Sequence, residues 1–289
     1  MNLAISFSGG KTSAFMTKWL LENKQDEYDE IIVTFANTGQ EREETLEFVR
    51  DCDSEFGFKT VWLEAVVNQE IGKGTRHKIV TFETASRKGE PFEDFIKKHG
   101  IPNQAFPKCT DELKLCPMRS YIRSLGWKNK DYDTAIGIRA DEMDRVSAKF
   151  AEQRLYYPLC WDVKASKESI AHWWEQQSFN LNLREHEGNC SWCWKKSKRK
   201  LLTLAQDMPE LFNFPLEMER KHGKAGAMHR NNPDEKERVF FRGERSAKDI
   251  LEESKKPFER FREERQLQIT GFDYEMDAAG GCSESCEVY

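Results

Sequence analysis

The chain has no apolar run that approaches the roughly 18 residues of a membrane-crossing helix. Its first residues carry no basic cluster, so we expect no signal peptide. It shows no internal repeat, and 45 Lys and Arg stand against 50 Asp and Glu, a formal net charge of −5. These absences predict a cytoplasmic protein without membrane contact. They argue against a generally basic protein that coats nucleic acid.

The composition is typical of a folded protein with a substantial core. With 38% hydrophobic and 12% aromatic residues among 289, the chain is long enough for one large α/β domain, with or without a helical appendage. It contains eight cysteines. In a reducing compartment, cysteines are more often metal ligands or redox groups than disulfide partners.

Short apolar runs alternate with helical patterns over the first 65 residues. The runs Leu3–Phe7, Ile31–Phe35 and Thr60–Val66 predict buried strands. The apolar spacing within Thr12–Glu22 and Glu41–Phe56 predicts the helices between them. This order predicts a parallel sheet with right-handed crossovers.

The pattern continues less regularly toward the C-terminus. One more strand is predicted at Asp133–Ile138. Further helices are predicted near Phe92–His99 and at Leu113–Leu125, Ser166–Gln177 and Lys195–Met208. The chain beyond them is charged and less periodic.

A glycine-containing loop, Ser6–Ser13, joins the first predicted strand to the first predicted helix, and we call it the glycine loop. Its sequence is Ser6-Phe7-Ser8-Gly9-Gly10-Lys11-Thr12-Ser13. Glycines let backbone amides approach phosphate oxygens, and the N-terminus of the following helix attracts the same anion. A Walker A loop would need glycine five residues before Gly10, where Ile5 stands. A plain strand-to-helix turn is the alternative interpretation.

The glycine loop resembles the PP-loop, Ser-x-Gly-Gly-Lys-(Asp/Thr)-Ser, of the adenine nucleotide alpha hydrolase superfamily. Four further segments follow in the order seen in phosphoadenosine phosphosulfate (PAPS) reductases. They are Asn37-Thr38-Gly39 with Glu44-Thr45, Cys109-Thr110 with Lys114 and Pro117, Gly137-Ile138-Arg139-Ala140-Asp141-Glu142 with Arg145, and Ser166–Trp174 with His186-Glu187-Gly188-Asn189-Cys190. The resemblance is strongest to PAPS-reductase-like proteins of phages and prophages, which implies residence in a bacterial host cytoplasm.

This resemblance implies a doubly wound, mostly parallel Rossmann-like sheet in residues 1–205. A mainly helical extension with a flexible cysteine-containing tail would follow in residues 206–289. The implied ligand is an adenine nucleotide (ATP, adenylyl sulfate or PAPS), with Mg²⁺ as an accompanying ion. The implied nucleotide-binding residues are Ser6, Ser8, Gly9, Gly10, Lys11, Thr12, Ser13, Asn37, Thr38, Gly39, Gly137, Arg139 and Arg145.

Two arginines and a lysine are the candidate anion-binding groups. Arg139 and Arg145 flank a predicted strand end, where open α/β sheets bind ligands, and arginine can grip sulfate or phosphate with two donors. Surface ion pairs with Asp141, Glu142 or Asp144 are the alternative. We expect Lys11 and Arg139 to take part in catalysis.

Four cysteines form a candidate metal site. Cys190 and Cys193 make a C-x-x-C pair, and Cys109 and Cys116 would share one face of a helix. The cluster-bearing adenylyl-sulfate reductases have a cysteine pair and a distal C-x-x-C at a similar separation. The resemblance therefore implies a [4Fe–4S] cluster on these four thiolates, and the alternatives are a Cys₄ zinc site or unligated, redox-active thiols.

The chain also departs from the family pattern. Asn37 stands where the family usually has Asp, and Thr110 replaces the second cysteine of a pair. The tail carries Cys282 and Cys286 in place of a Glu-Cys-Gly nucleophile. These two thiols are candidate catalytic nucleophiles, or incidental exposed thiols.

Three functions stay open from the sequence. The first is a sulfonucleotide reductase served by a thioredoxin-like reductant. The second is an ATP pyrophosphatase that transfers sulfur to nucleic acid, with a cysteine desulfurase as partner and the basic run Lys195–Lys200 as a contact. The third is a non-catalytic nucleotide-binding iron–sulfur sensor. A homo-oligomer is compatible with each.

Overall fold

The computed structural model describes residues 1–188 and 190–262. Contacts divide this part of the chain into two compact units. The first consists of residues 1–91 and 110–182, and the second of residues 92–109 and 183–262. The grouping differs from the expected division after residue 205, since the helix that spans that position packs with the helices that follow it.

A six-stranded sheet forms the centre of the first unit. The strands are β1 (Asn2–Ser6), β2 (Ile31–Asn37), β3 (Val61–Val66), β4 (Arg76–Val80), β5 (Tyr132–Ala135) and β6 (Leu155–Tyr156). Their order is β4-β3-β2-β1-β5-β6, and only β4 pairs antiparallel. The predicted α/β fold with a mostly parallel sheet is confirmed.

Helices surround this sheet and also make up most of the second unit. In the first unit they are α1 (Lys11–Asn23), α2 (Glu43–Phe56), α4 (Cys116–Ser124), α5 (Phe150–Gln153), α6 (Pro158–Trp161) and α7 (Lys167–Glu175). Helix α3 (Glu90–His99) lies mainly in the second unit, with α8 (Lys198–Asp207), α9 (Asn213–His222), α10 (Ala227–Asn231) and α11 (Ala247–Glu253). The predicted helical C-terminal part is confirmed.

The core of the first unit explains why the strand predictions succeeded. Strands β1 and β2 are buried along almost their whole length, as expected for central parallel strands covered on both faces. The indole ring of Trp174 packs against Phe48 of α2, with ring centroids 5.1 Å apart. Helix α7 begins at Lys167, and the side chain of Ser166 caps it by accepting the Ser169 amide.

The structure differs from the predicted strands at β4 and at β5. Strand β4 was not predicted, because its sequence Arg-His-Lys-Ile-Val alternates polar and apolar residues weakly and only Val80 is buried. Strand β5 ends at Ala135 instead of Ile138, because Ile138 donates its amide to the carbonyl of Ile136 in a tight turn.

None of the described helices combines the length and hydropathy that a membrane crossing requires.

Aromatic side chains hold the second unit together. Trp192 packs against Phe240, with ring centroids 4.8 Å apart, and also contacts Phe92 of α3. Glu219 of α9 is half-buried and accepts hydrogen bonds from the amides of Phe240 and Ala247, at 3.0 and 2.8 Å. One carboxylate thus joins three segments of this unit.

Candidate functional site

Three loops of the first unit leave the same edge of the sheet. Ile5 of β1 is level with Val33 of β2 on one side and Ala135 of β5 on the other, and all three strands run parallel. The chain order reverses between β1 and β5, so the glycine loop lies at a switch point of an open α/β sheet. Ligands of such sheets bind outside the carboxyl ends of the strands at this point.

The side chain of Ser13 holds the glycine loop in place through hydrogen bonds. Its hydroxyl accepts a hydrogen bond from the Ser8 amide at 3.2 Å, lies 2.9 Å from the Ser8 hydroxyl and donates to the Gly10 carbonyl at 3.0 Å. Ser13 is fully buried, whereas Ser8, Gly10, Lys11 and Thr12 are partly exposed. The partly exposed residues can face a ligand, and Ser13 supports them.

The two glycines of the loop meet different requirements. Gly9 has φ +78°, and a Cβ there would come within 2.8 Å of Thr45 and 3.0 Å of Phe35. Gly10 has φ −105°, which any residue adopts, and a Cβ there would meet only the Ser8 hydroxyl, at 3.7 Å. The fold therefore requires glycine at position 9. At position 10 it leaves open space beside the backbone, which is what a closely approaching phosphate needs.

The N-terminus of α1 completes the loop. The helix begins at Lys11, and its first turn carries no acidic residue. The backbone amides of a first helical turn and the helix dipole favour an anion there. The indole nitrogen of Trp174 donates a hydrogen bond to the Lys11 carbonyl at 3.0 Å.

The loop after β2 is held by buried polar groups that the sequence analysis only partly anticipated. Asn37 is fully buried, and its amide nitrogen donates to the Glu64 carboxylate and to the Ser86 carbonyl, each at 2.8 Å. Its side-chain oxygen accepts the Gly39 amide at 3.1 Å. Asn37 therefore shapes the loop from inside. Glu64 was missed, although a single acid within the apolar strand Val-Trp-Leu-Glu-Ala-Val is a detectable signal.

Thr38 and Glu41 continue the same loop. The carboxylate of Glu41 accepts the Thr38 amide at 2.8 Å and the Thr38 hydroxyl at 2.9 Å. The ammonium group of Lys114 lies 3.9 Å from the same carboxylate, and both side chains are almost completely buried. The lysine recognised in the sequence pattern thus neutralises the acid that folds this loop.

The loop after β5 carries the two predicted arginines. Arg139 pairs with Asp141 at 3.0 Å and with Glu142 at 3.3 Å, and Arg145 pairs with Glu142 at 2.7 Å. Glu142 is buried and bridges the two guanidinium groups. The ion pairs weighed as an alternative exist in the structure, so an anion would share these arginines with carboxylates.

Cys116 lies beside two acids in the first unit. A π-helical turn, Asp111–Leu115, leads directly into α4, and the ligand atoms of Asp111, Glu112 and Cys116 lie within 4.8 Å of one another. Burial, with the two carboxylates as a further cause, raises the pKa of the Cys116 thiol to about 11. This group has the donor types of a metal site, and its thiol stays protonated at neutral pH unless a cation is bound.

The C-x-x-C pair forms a tight turn in the second unit, which also contains Cys109. The Cys193 amide donates to the Cys190 carbonyl at 3.1 Å, and the neighbouring Trp192 and Trp194 are buried. Among the described His, Cys, Asp and Glu residues of this unit, no three ligand atoms lie within 4.8 Å of one another. The predicted nucleophiles Cys282 and Cys286 lie outside the described residues.

The basic run Lys195–Lys200 makes intramolecular contacts. Lys198 pairs with Glu253 at 2.5 Å, and Arg199 with Glu259 at 3.0 Å. Lys196 is buried and donates to the Gly188 carbonyl at 2.9 Å. Lys200 lies over the ring of Phe261, 4.6 Å from its centroid. These contacts favour the interpretation of the run as the charged face of a helix.

Comparison with known proteins identifies the family of this chain. A model of the phosphoadenosine phosphosulfate reductase domain matches residues 2–156, which include all three loops. An uncharacterized nin region protein of Escherichia phage lambda is 32% identical over 291 residues, covering 99% of this chain and 94% of the relative. The chain belongs to the phosphoadenosine phosphosulfate reductase domain family, and the resemblance to its phage-type members is confirmed.

More distant similarities extend to two uncharacterized proteins of Methanocaldococcus jannaschii. One is 25% identical over 230 residues, which is 75% of this chain and 47% of the relative. The other is 28% identical over 184 residues, which is 63% of this chain and 31% of the relative. The chain thus spans less than half the length of either. A phosphoadenylyl-sulfate (PAPS) reductase from Candida auris, solved as a phosphate complex, aligns with a TM-score of 0.37 and 13% identity over 63% of this chain and 75% of that one.

Proposed function

We propose that the chain binds an adenine nucleotide at the glycine loop and reduces the sulfate of adenylyl sulfate or PAPS in the host cytoplasm. The observation that carries the proposal is the open space beside Gly10, at the N-terminus of a helix without acids in its first turn. The family membership supports the same ligand class. Ser8, Gly10, Lys11 and Thr12 would contact the phosphates, with Mg²⁺ as an accompanying ion.

The arginines after β5 would hold the sulfate end of the substrate. Arg139 and Arg145 are fixed by Glu142, so their guanidinium groups are oriented before a ligand arrives. Oriented donors stabilise developing negative charge without reorganising during the reaction. Glu142 also reduces the net positive charge around the two arginines, which suits an anionic product that must leave after turnover.

The chemistry requires a thiol nucleophile, for which we propose Cys282 or Cys286. Its thiolate would attack the sulfate sulfur, forming a sulfur–sulfur bond as the sulfur–oxygen bond to the nucleotide phosphate breaks. AMP leaves from adenylyl sulfate, or adenosine 3′,5′-bisphosphate from PAPS. A dithiol reductant of the thioredoxin type then supplies two electrons, releasing sulfite, restoring the protein thiol and becoming a disulfide.

A metal group on the C-x-x-C pair of the second unit, Cys190 and Cys193, is part of the proposal. The tight C-x-x-C turn beside buried tryptophans suits a cysteine-bound metal. A [4Fe–4S] cluster would supply a redox-active centre, whereas zinc would supply a structural one. The chain's own residues would exclude water from either group, chiefly through Trp192 and Trp194.

Sulfite release from ³⁵S-labelled adenylyl sulfate and PAPS, with thioredoxin and anaerobically purified protein, tests the reaction. We expect turnover with one nucleotide and a loss of about 10- to 100-fold in kcat/KM for Lys11→Ala, the cost of one charge-assisted hydrogen bond. Cys282→Ser and Cys286→Ser, each alone, identify the nucleophile, with Cys52→Ser in the core as the control.

A second assay separates this reaction from the alternatives. ATP is incubated with the protein and single-stranded DNA or tRNA, and products are resolved. Formation of AMP and pyrophosphate without sulfite release would replace the reductase by an ATP pyrophosphatase that transfers sulfur. Nucleotide binding without turnover in either assay would favour a sensor, and absence of adenine nucleotide binding would overturn the proposal altogether.

A further inference from the structure

The edge of the site after β2 depends on one buried carboxylate. Glu64 lies on β3, level with Asn37 of β2 on one side and Lys78 of β4 on the other. Its exposed fraction is only 2%. A carboxylate with so little access to water requires partners, because burying an unpaired charge is costly.

The partners of Glu64 join two separate loops. One carboxylate oxygen accepts the Asn37 side-chain amide at 2.8 Å and the Ser86 backbone amide at 2.5 Å. The other oxygen lies 3.2 Å from the Lys78 ammonium group, which is exposed to solvent. Glu64 thus connects the loop after β2 with the segment that precedes α3.

These two segments are in direct contact at a glycine. Gly39 has φ +78°, and a Cβ there would lie 2.6 Å from the Ser86 hydroxyl and 2.9 Å from Gly89. The turn that carries Thr38 and Gly39 therefore keeps its place only while Ser86 stays where Glu64 holds it.

The chemistry of residue 37 follows from this arrangement. Its nitrogen faces two acceptors, the Glu64 carboxylate and the Ser86 carbonyl, while its oxygen faces a donor, the Gly39 amide. An aspartate would turn an acceptor toward two acceptors and place two carboxylates in one buried site, where they disfavour each other's ionisation. An amide is therefore required at position 37 as long as position 64 is a carboxylate.

We propose that Glu64 is a positioning residue of the nucleotide site and that its carboxylate requires an amide at position 37. Glu64 acts through Asn37 and Ser86, which set the position of Thr38 and Gly39. This inference rests on the proposed nucleotide site.

A double-mutant cycle tests the pair in the full chain. The variants are Asn37→Asp, Glu64→Gln and the double variant, with the dissociation constants of AMP and ATP measured for each. We expect Asn37→Asp to weaken binding by tenfold or more, Glu64→Gln by less than threefold, and the double variant to recover most of the loss. Asn103→Asp in the second unit is the matched control. Combining it with Glu64→Gln should not restore any nucleotide affinity that Asn103→Asp costs.

A second readout needs no ligand. Deuterium exchange at the Gly39 and Ser86 amides should accelerate in Asn37→Asp and slow again in the double variant. A double variant that binds and exchanges no better than Asn37→Asp would overturn the inference, as would an Asn37→Asp variant indistinguishable from wild type. If wild type binds no adenine nucleotide, the proposed function fails, while the exchange data still decide whether Glu64 holds the turn.

Discussion

The indole nitrogen of Trp174 donates a hydrogen bond to the carbonyl oxygen of Lys11, at 3.0 Å, and the two residues are 163 positions apart in the chain. Trp174 belongs to α7 and has an exposed fraction of 1%, whereas Lys11 is the first residue of α1. The end of the glycine loop is thus anchored to the core by a residue that a sequence pattern identifies only as apolar. Core packing and the position of the candidate nucleotide site are therefore connected.

Replacing Trp174 by Phe should disturb both stability and binding. The change removes one buried hydrogen bond and part of an aromatic side chain, a loss of about 1–3 kcal/mol of unfolding free energy. We expect a several-fold weaker affinity for AMP as the loop loses its anchor. Urea unfolding and calorimetric titration measure the two effects. Trp173→Phe is the control, since Trp173 packs against Phe15 and is only partly buried. Equal effects of both variants would contradict the role of the hydrogen bond from Trp174 to Lys11.

The two glycines of the loop should separate folding from binding. Gly9→Ala should lower the unfolding free energy by about 2 kcal/mol, because a left-handed backbone conformation and a Cβ 2.8 Å from Thr45 are both unfavourable. Gly10→Ala should leave stability within about 0.5 kcal/mol. It should nevertheless abolish nucleotide binding, because its methyl group would occupy the space beside the backbone. Full binding by Gly10→Ala would show that no phosphate approaches there.

Glu219 should make the stability of the second unit depend on pH. Burial raises the pKa of the Glu219 carboxyl to about 7 from an ordinary value near 4.5. The folded state therefore holds a proton that the unfolded state has released between these values, so this contribution is present at low pH and is lost as pH rises through about 7. Glu219→Gln should reduce the fall in unfolding midpoint between pH 5.5 and 8, measured in urea, and a variant with the wild-type pH profile would contradict this assignment.

Charge reversal at Lys198 should reveal what the basic run does. Lys198→Glu would face Glu253 with a like charge and should cost about 0.5–1 kcal/mol, the scale of exposed pairs. If the run only stabilises the second unit, retention of single-stranded DNA in a gel-shift experiment should not change. Lys248→Glu, an exposed lysine on α11, is the matched charge control. A loss of DNA binding specific to Lys198→Glu would instead support a nucleic-acid contact.

Metal content should distinguish the two candidate groups on the cysteines. We expect anaerobically purified protein to contain iron and to absorb visible light, and Cys190→Ser and Cys193→Ser each to lose both properties. Cys52→Ser should lose neither, since burial raises the pKa of that thiol far above neutrality. Colourless protein with bound zinc would replace the cluster by a Cys₄ zinc site. Metal held equally by all the variants would remove the C-x-x-C pair from the ligand set.

The sequence predicted best where local chemistry decides. The strand–loop–helix at Ser6–Ser13 was recognisable because glycines, hydroxyls and a lysine occur together after an apolar run. The role of Ser13 was not recognisable, since the sequence does not distinguish a serine whose hydroxyl is buried from one whose hydroxyl faces a ligand. Arg139 and Arg145 were predicted as anion-binding residues, but their shared bond to Glu142 depends on how the loop after β5 folds.

By itself the sequence determined the α/β class, the family and the loop proposed to bind the nucleotide, because strand and helix periodicity and glycine chemistry act over a few residues. Only the tertiary structure decided which polar residues face inward. Neighbouring strands bring Asn37, Glu64 and Lys78 into one row, although they are far apart in the chain. The pairing of these strands decides which groups the Glu64 carboxylate contacts, and therefore how it affects the site.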